Sequence, residues 1–369
     1  MSNKYRFISV MIALLLLTSC GDQRILEKTG FIQSTSYDLL PNGKLKYTVS
    51  IPIANPDIQK SNARLILNTE TTGGKKARIE LAKKTNLILV SGQLRTALFG
   101  IPIAKEGLMD YMDTLKRDPT IAEQVKIVVV NEDAGSLLSK DFPENPRTGK
   151  YIDHLIEKES LGQSIPETTI YSFSRDYYDD GIDPIAPVIR DAGNSIAIDG
   201  IALFKDDKYV SKIQSDDAVI FFFLKRSFIQ GEISIDLTDP SGNTTIMLSA
   251  LNSSRKLNVK HEKNGQITVN IQVNALASLL EYNGDLKLGS PTDKQQLENI
   301  ISEMLTERAK KIIKQLQSKK TDNLGIGIHV RNSMSYKEWK KMNWQEQYPD
   351  VVINCVVNLK IKEQGFLKN

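Results

Sequence analysis

The sequence predicts an α+β fold, with mixed β-sheets and packed helices in two to three domains after a cleaved signal peptide. Apolar residues alternate at the strand period in several segments, and one long segment has the helix period. Strands and helices follow each other without a regular βαβ rhythm, which favours mixed sheets. The 369 residues, 40% hydrophobic and 25% charged, have globular composition and exceed what one core usually supports.

A first hairpin is predicted around Asn42-Gly43. Every second residue from Leu45 to Ile53 is apolar, and the segment 31–37 is its expected partner strand. A second hairpin is predicted around Asn264-Gly265, between alternating residues that include Leu257, Val259 and His261 on one side and 267–273 on the other. An Asn-Gly pair favours a two-residue type I′ turn.

The other elements are predicted from shorter patterns. Further strands are expected at 86–91, 125–131, 196–204, 218–224, 232–237 and 350–362. Short helices are expected at 105–116, 152–158 and 168–177.

The longest predicted helix covers 293–317. Its apolar residues recur at the i, i+3, i+4, i+7 spacing throughout, and Thr292 with Gln295 fits a capping box at its start. Packing of the apolar stripe on a sheet explains the pattern better than a groove for a partner.

Glycines and prolines at 180–194 indicate a boundary. The expected division is a signal peptide at 1–19, an N-terminal α+β domain at 20–190, and a C-terminal α+β region at 191–369 that contains the long helix.

The amino terminus has the pattern of a lipoprotein signal. Lys4 and Arg6 precede ten largely apolar residues, 8–17. A helix that spans a bilayer needs about 20 apolar residues, so this segment is too short to do so. The run Leu17-Thr18-Ser19-Cys20 resembles a bacterial lipobox. We therefore expect cleavage before Cys20, an S-diacylglycerol on its sulfur with further N-acylation open, and attachment to the outer face of the cell membrane. An ordinary secretory signal is the alternative.

No residue pattern predicts catalysis, a metal site or a cofactor. The three histidines, His154, His261 and His329, lie far apart, and no nucleophile elbow or nucleotide fingerprint is present. An acidic group, Asp176, Asp179, Asp180 and Asp183, does not have EF-hand spacing and is expected to be a solvated linker.

Net charge and cysteine usage argue against a nucleic-acid-binding protein and against a disulfide-stabilised one. The net charge of +4 falls to +2 without Lys4 and Arg6, so nucleic-acid binding is not expected. The second cysteine, Cys355, lies in a strand-like run and is expected to be a buried small hydrophobe; no disulfide is expected within the chain.

Five segments resemble one family in its order along the chain. They are residues 20–30 (CGDQRILEKTG), 115–119 (LKRDP), 198–208 (IDGIALFKDDK), 322–327 (DNLGIG) and 339–344 (WKKMNW). The chain is similar in these segments to the C-subunit lipoproteins of the nutrient germinant receptors of bacterial spores. It departs from the family pattern at Gly21, where tryptophan is common, at Leu26, and at Ser211, which replaces a glycine.

The resemblance implies a non-enzymatic receptor subunit on the spore inner membrane, beside a transporter-like and a channel-like integral membrane subunit. Structural roles are expected for the matched residues: Gly200, Gly325 and Gly327 for backbone geometry or close approach, and Arg117 with Asp118 for ending a helix. Trp339 and Trp344 are equally compatible with a core and with a partner contact.

Two other functions are open alternatives. A solute-binding lipoprotein that delivers a small molecule to a permease needs a cleft between two α/β lobes, and a surface hydrolase needs a nucleophile arrangement. The sequence predicts neither feature.

Overall fold

The computed structural model describes residues 28–53, 64–239, 242–263 and 265–364. The strands are β1 (Thr29–Phe31), β2 (Ser34–Leu39), β3 (Leu45–Pro52), β4 (Arg64–Thr71), β5 (Ile88–Val90), β6 (Thr96–Gly100), β7 (Lys126–Val130), β8 (Ile185–Asp191), β9 (Ile196–Lys205), β10 (Lys208–Ile213), β11 (Phe228–Ile229), β12 (Ile233–Asp239), β13 (Gly242–His261), β14 (Ile267–Tyr282) and β15 (Val352–Gln364).

The helices in the described residues are α1 (Gly74–Ala82), α2 (Ile101–Glu106), α3 (Met109–Lys116), α4 (Ala134–Ser139), α5 (Thr148–Leu161), α6 (Ile170–Tyr178), α7 (Ala218–Lys225), α8 (Pro291–Ser318), α9 (Ile326–Asn332), α10 (Tyr336–Lys341) and α11 (Trp344–Gln347). The predicted α+β class with mixed sheets is confirmed.

The first sheet has eight strands in the order β10-β9-β8-β7-β6-β2-β3-β4. Its four central strands, β2, β6, β7 and β8, are parallel, and antiparallel strands extend it at both ends. One face packs on an aromatic-rich core that includes Tyr37, Phe99 and Phe173, and the other packs on α4 and α5 through residues such as Leu138 and Ile156. This sheet is therefore buried on both faces, as parallel strands require.

The second sheet has the order β11-β13-β14-β15, with β12 also paired to β13. Helix α8 packs its apolar stripe on this sheet; Leu297, Ile301 and Leu305 are all buried there. The predicted helix is confirmed, although it begins at Pro291, and Ser290 caps it by accepting from Asp293 N, so the capping box predicted at Thr292 is wrong.

Both predicted hairpins are present, but the type I′ turn is wrong. Leu40 N donates to Lys44 O, and Glu262 N donates to Gln266 O, which leaves three-residue loops. In each loop the glycine has a left-handed φ, +75° at Gly43 and +84° at Gly265. A type I turn followed by a left-handed glycine also satisfies the Asn-Gly signal. Asn264 itself lies outside the described residues.

Two other predicted elements differ. The strand predicted at 218–224 is helix α7, because a run of seven apolar residues buried on all sides gives no period to distinguish the two. The helix predicted at 105–116 is two helices, α2 and α3, separated at Gly107, which has φ +129°. A Cβ there would lie 2.7 Å from Oδ2 of Asp207, whose carboxylate accepts from Met109 N at the start of α3.

The domain division predicted near residue 190 stays a prediction. β8 ends at Asp191, and β9 and β10 extend the same sheet beyond it. Ile201 and Leu203 of β9 belong to the hydrophobic cluster that also contains the buried residues of α7 and α8. The two sheets thus share a continuous core.

Cys355 lies buried in β15, as predicted. Burial raises the pKa of its thiol to about 11, so the group is neutral at physiological pH. It packs as a small hydrophobic residue in the core that the second sheet shares with α8.

Helix α8 covers the free edge of β15 with polar side chains one turn apart. Glu298 Oε1 accepts from Ile361 N at 2.9 Å, Ser302 Oγ from Leu359 N at 2.9 Å, and Thr306 Oγ1 from Val357 N at 3.0 Å. An uncovered edge strand exposes N–H groups that can pair with another chain. The i, i+4, i+8 stripe therefore closes this edge.

We expect the double substitution Ser302→Ala with Thr306→Val to lower the free energy of unfolding by about 1–3 kcal/mol for each N–H left unpaired. The freed edge should also increase self-association. Urea unfolding and sedimentation velocity measure the two effects. Ser318→Ala with Thr292→Val makes the same chemical changes at exposed positions of α8 and should do neither; equal effects in both variants would contradict the edge-covering role.

Candidate functional site: the junction between the two sheets

The segment after α8 crosses from the second sheet to the first and is buried. Asn323 Nδ2 donates to Pro184 O at 2.7 Å and Phe204 O at 2.9 Å. Asp322 N donates to Asp183 Oδ2 at 2.7 Å, and Asp183 N donates back to Asp322 O at 3.0 Å. The Thr321 hydroxyl lies against Phe204 O and the Asp183 carboxylate. This segment therefore continues the hydrogen bonding of the first sheet.

The Asp322 carboxylate is the centre of the junction. Oδ1 accepts from Ile326 N at 3.0 Å, and Oδ2 accepts from Gly327 N at 2.6 Å and from Trp344 Nε1 at 3.1 Å. Burial raises the pKa of Asp322 to about 6, although these donors act in the opposite direction. One carboxylate thus holds the first turn of α9 and the start of α11.

A partly buried lysine lies on the other side of the same segment. Lys225, at the end of α7, donates from Nζ to Asn323 O at 2.6 Å. Burial lowers the pKa of this amine to about 8, and the charges of Asp176 and Asp322 oppose the shift. Local sequence pattern does not predict this contact, because Lys225 follows an apolar run with a strand-like pattern and its partner lies about 100 residues later.

Three glycines allow the segments to approach closely, as predicted for Gly325 and Gly327. Gly325 caps α9 with a left-handed φ of +74°. A Cβ on Gly327 would lie 2.4 Å from Trp344 Nε1, and one on Gly181 would lie 2.7 Å from Ile328 N. Gly200, in β9, has φ +114° and Ile213 O where its Cβ would be, so its predicted close approach is confirmed as well.

The two tryptophans are core residues. Trp339 is 2% and Trp344 5% exposed, with ring centroids 5.8 Å apart. Each indole N–H donates to a carboxylate: Trp339 Nε1 to Asp180 Oδ2 at 3.0 Å, and Trp344 Nε1 to Asp322 Oδ2 at 3.1 Å. Of the two roles that the sequence left open, the structure places both rings in the core.

The acidic group is not a solvated linker, so that expectation is wrong. Arg331 of α9 forms ion pairs of 2.8 Å with Asp179 and with Asp180, and Lys340 lies 3.0 Å from Asp180. Burial alone would raise the pKa of Asp180, but the bonds from Trp339, Lys340 and Arg331 lower it to about 2. The partners come from about 150 residues later in the chain, where sequence spacing cannot reveal them.

The other matched pair, Arg117 and Asp118, ends α3 only in part. Arg117 is the last cap residue of the helix and pairs with Asp113 at 2.6 Å. Asp118 instead accepts from Thr120 N at 3.0 Å and pairs with Arg78 of α1 at 2.6 Å. Its carboxylate therefore links the end of α3 to α1.

The described residues contain no group of three or more His, Cys, Asp or Glu side chains that could hold a metal ion. The histidines remain apart, and His261 is exposed, with Nε2 2.8 Å from Ser333 Oγ. No helix in the described ranges is long and apolar enough to cross a membrane. The predicted lipid-anchor residue, Cys20, lies outside the described residues.

The fold and the junction define an α+β protein with two large sheets, an additional two-stranded sheet formed by β1 and β5, and buried polar groups that join the two large sheets. Comparison with known families then identifies its kind: a model described as "Spore germination protein N-terminal domain" matches residues 22–191, and one described as "Spore germination B3/ GerAC like, C-terminal" matches residues 199–365. The chain belongs to the family of germinant receptor C subunits.

Individual relatives align with this chain over nearly its full length. Spore germination protein GerQC of Bacillus cereus is 26% identical over 361 residues, 98% of this chain and 99% of the relative. Putative spore germination protein YfkR of Bacillus subtilis (strain 168) is 22% identical, covering 98% of this chain and 97% of that protein. The crystal structure of the GerBC protein has the same fold, with a TM-score of 0.59 at 16% identity, over 92% of this chain and 100% of that chain.

We expect Gly327→Ala to lower the free energy of unfolding by about 1–3 kcal/mol, because the added methyl group meets the Trp344 indole and the Gly181 carbonyl. Urea unfolding monitored by tryptophan fluorescence measures the change. Gly289→Ala is the matched control, since its Cβ would meet nothing within 4 Å. Equal stabilities of the two variants would contradict the close approach.

A second prediction concerns pH. Asp38 of β2 accepts from Ala134 N and Gly135 N at 2.7 and 2.8 Å, and burial raises its pKa from 3.8 to about 6. The folded state therefore binds this proton more tightly than the unfolded chain does. The resulting stability is complete below about pH 4 and is lost as the pH rises through about 6.

Between pH 4.5 and 7 the unfolding free energy of the wild type should fall, by roughly 1.4 kcal/mol per unit of pKa shift at most. Asp38→Asn should make this fall shallower. It should not abolish the fall, because the pKa of Asp322 is also raised by burial. Urea unfolding across this range measures the slope. Asp285→Asn, at an exposed position, should leave it unchanged. A wild-type slope retained by the Asp38 variant would contradict the assignment.

Proposed function

We propose that this chain is a non-enzymatic, lipid-anchored subunit of a nutrient germinant receptor, required for receptor assembly or function in spore germination. It is held by an S-diacylglycerol on Cys20 to the outer face of the spore inner membrane. Its partners there are two integral membrane subunits, one transporter-like and one channel-like. The observation that carries the proposal is the match of both family models along nearly the whole chain.

The sequence supports the anchor independently. Cys20 follows a positive segment and ten largely apolar residues, and the first matched residue of the family, Asp22, comes directly after this cleavage region. Two acyl chains give stable membrane attachment where one chain is marginal. The body then needs no spanning helix to stay at the bilayer.

The site supports action by contact. The buried or partly buried titratable groups of the junction, Asp183, Asp322 and Lys225, are engaged with backbone and indole groups inside the protein. Charged groups used in this way fix the relative position of two halves of a protein. A rigid tethered body can bind neighbouring subunits without chemistry of its own.

The solute-binding alternative gains no support from the fold. It needs a cleft between two α/β lobes, whereas only the first sheet here has a parallel centre. The second sheet is mainly antiparallel and is packed by one long helix.

Cys20→Ala tests the anchor in spores. We expect the variant chain to fold but to leave the membrane fraction, and germination through this receptor, measured as dipicolinate release, to fall towards the level of a receptor deletion. Cys355→Ala is the matched control, because that thiol is buried in β15, and it should keep both membrane attachment and germination. Normal germination by a fully detached Cys20 variant would overturn the proposal.

A further inference from the structure

The chain enters the folded body at one defined place. β1, the first strand described, pairs in parallel with β5, and Thr29 lies opposite Ile88. From β1 the chain passes directly into β2 of the first sheet. Ile88 therefore marks the surface from which the N-terminal segment leaves the body.

The segment between the proposed anchor and this place is short. Nine Cα-to-Cα steps separate Cys20 from Thr29, so the two are at most about 32 Å apart even when fully extended. A body of roughly 340 residues has a radius of gyration of about 20 Å, hence a radius near ~26 Å. The far pole of such a body lies about 52 Å above a plane on which the body rests, and its equator about 26 Å above that plane. The segment therefore reaches the bilayer only when the surface around Ile88 lies on the half of the body that faces the bilayer.

Two large apolar side chains are exposed on this surface. Ile88 is 53% exposed and Ile79, on α1, is 60% exposed. Arg78 joins their two elements, since its Nη2 lies 3.4 Å from Leu89 O and its Nη1 pairs with Asp118. Ile79 and Ile88 are therefore exposed on two elements that contact each other.

Positive charge is concentrated on the same surface. Within residues 74–84 the described basic side chains are Lys76, Arg78, Lys83 and Lys84, of which Arg78 is paired with Asp118. Lys28, Lys76 and Lys83 are exposed. The single acidic residue, Glu80, lies 3.4 Å from Lys83 and offsets only part of this charge.

We propose that this N-terminal face, consisting of Lys28, Lys76, Ile79, Lys83 and Ile88, is a membrane-docking surface that lies on anionic lipid. The proposal rests on the lipid anchor of the proposed function. The isoleucines enter the interfacial region, and the lysines attract acidic headgroups within a Debye length. The occupant is a bilayer, because the tether brings this face to the lipid before any other.

The test uses the full lipidated chain reconstituted in vesicles, with a polarity-sensitive fluorophore on Ile79→Cys or Ile88→Cys. The introduced thiol is the reactive one, since lipid occupies Cys20 and Cys355 is buried with a raised pKa. We expect blue-shifted emission and quenching by nitroxide lipids at both positions. Ile229→Cys, at a position that is 74% exposed on β11, is the control and should show neither.

A second arm tests the charge. Quenching at position 88 should be stronger in phosphatidylglycerol vesicles than in phosphatidylcholine vesicles, and Lys28→Gln, Lys76→Gln and Lys83→Gln together should remove the difference. Each lysine near an anionic surface changes the docking equilibrium by about fivefold. The matched control neutralises three exposed lysines elsewhere, Lys256, Lys260 and Lys337, and should leave the difference intact.

The outcomes separate this proposal from the anchor. A lipidated chain that floats with vesicles but is quenched as strongly at 229 as at 88, or a control triple variant that acts like the first, overturns the docking surface and leaves the anchor standing. A mature chain without lipid on Cys20 by mass spectrometry overturns both.

Discussion

The buried carboxylate of Asp322 is the constraint on which the rest of the structure depends. A carboxylate removed from water is costly unless donors surround it, and here the donors are two amides of α9 and the Trp344 indole. Satisfying it fixes the distance between α9 and α11. The same geometry leaves no room for a side chain at Gly327 or Gly181, so the glycines follow from the carboxylate.

This constraint joins the two sheets into one body. Asp183 of the acidic group binds the segment, and Asn323 donates to the Pro184 and Phe204 carbonyl groups at the paired ends of β8 and β9. Around these polar contacts one hydrophobic cluster runs from Ile201 of the first sheet to α8 of the second. A loop that carries buried polar atoms is stable only when each finds a partner, and here the partners come from both sheets.

Much of the fold could be predicted from local patterns. Both hairpins and α8 have long apolar repeats whose period is unambiguous, and their positions are confirmed. Helix α7 was missed because its residues are apolar on every side, and the break at Gly107 depends on Asp207, which is distant in sequence. The junction can be predicted only in part: residues 322–327 resemble the family pattern, but their partners Asp183 and Lys225 lie about 140 and 100 residues earlier.

A rigid junction matters for the lipid-anchored subunit proposed above, because lipid would fix only one end of the body. Such an anchor leaves the body free to turn about that one end. If the two halves could also move against each other, the second sheet would have no defined position relative to the bilayer. The shared core and the Asp322 contacts prevent this motion of the two halves against each other. The first sheet then fixes the position of any surface of the second sheet that contacts a neighbouring subunit. The buried charges of the junction therefore influence such contacts without taking part in them.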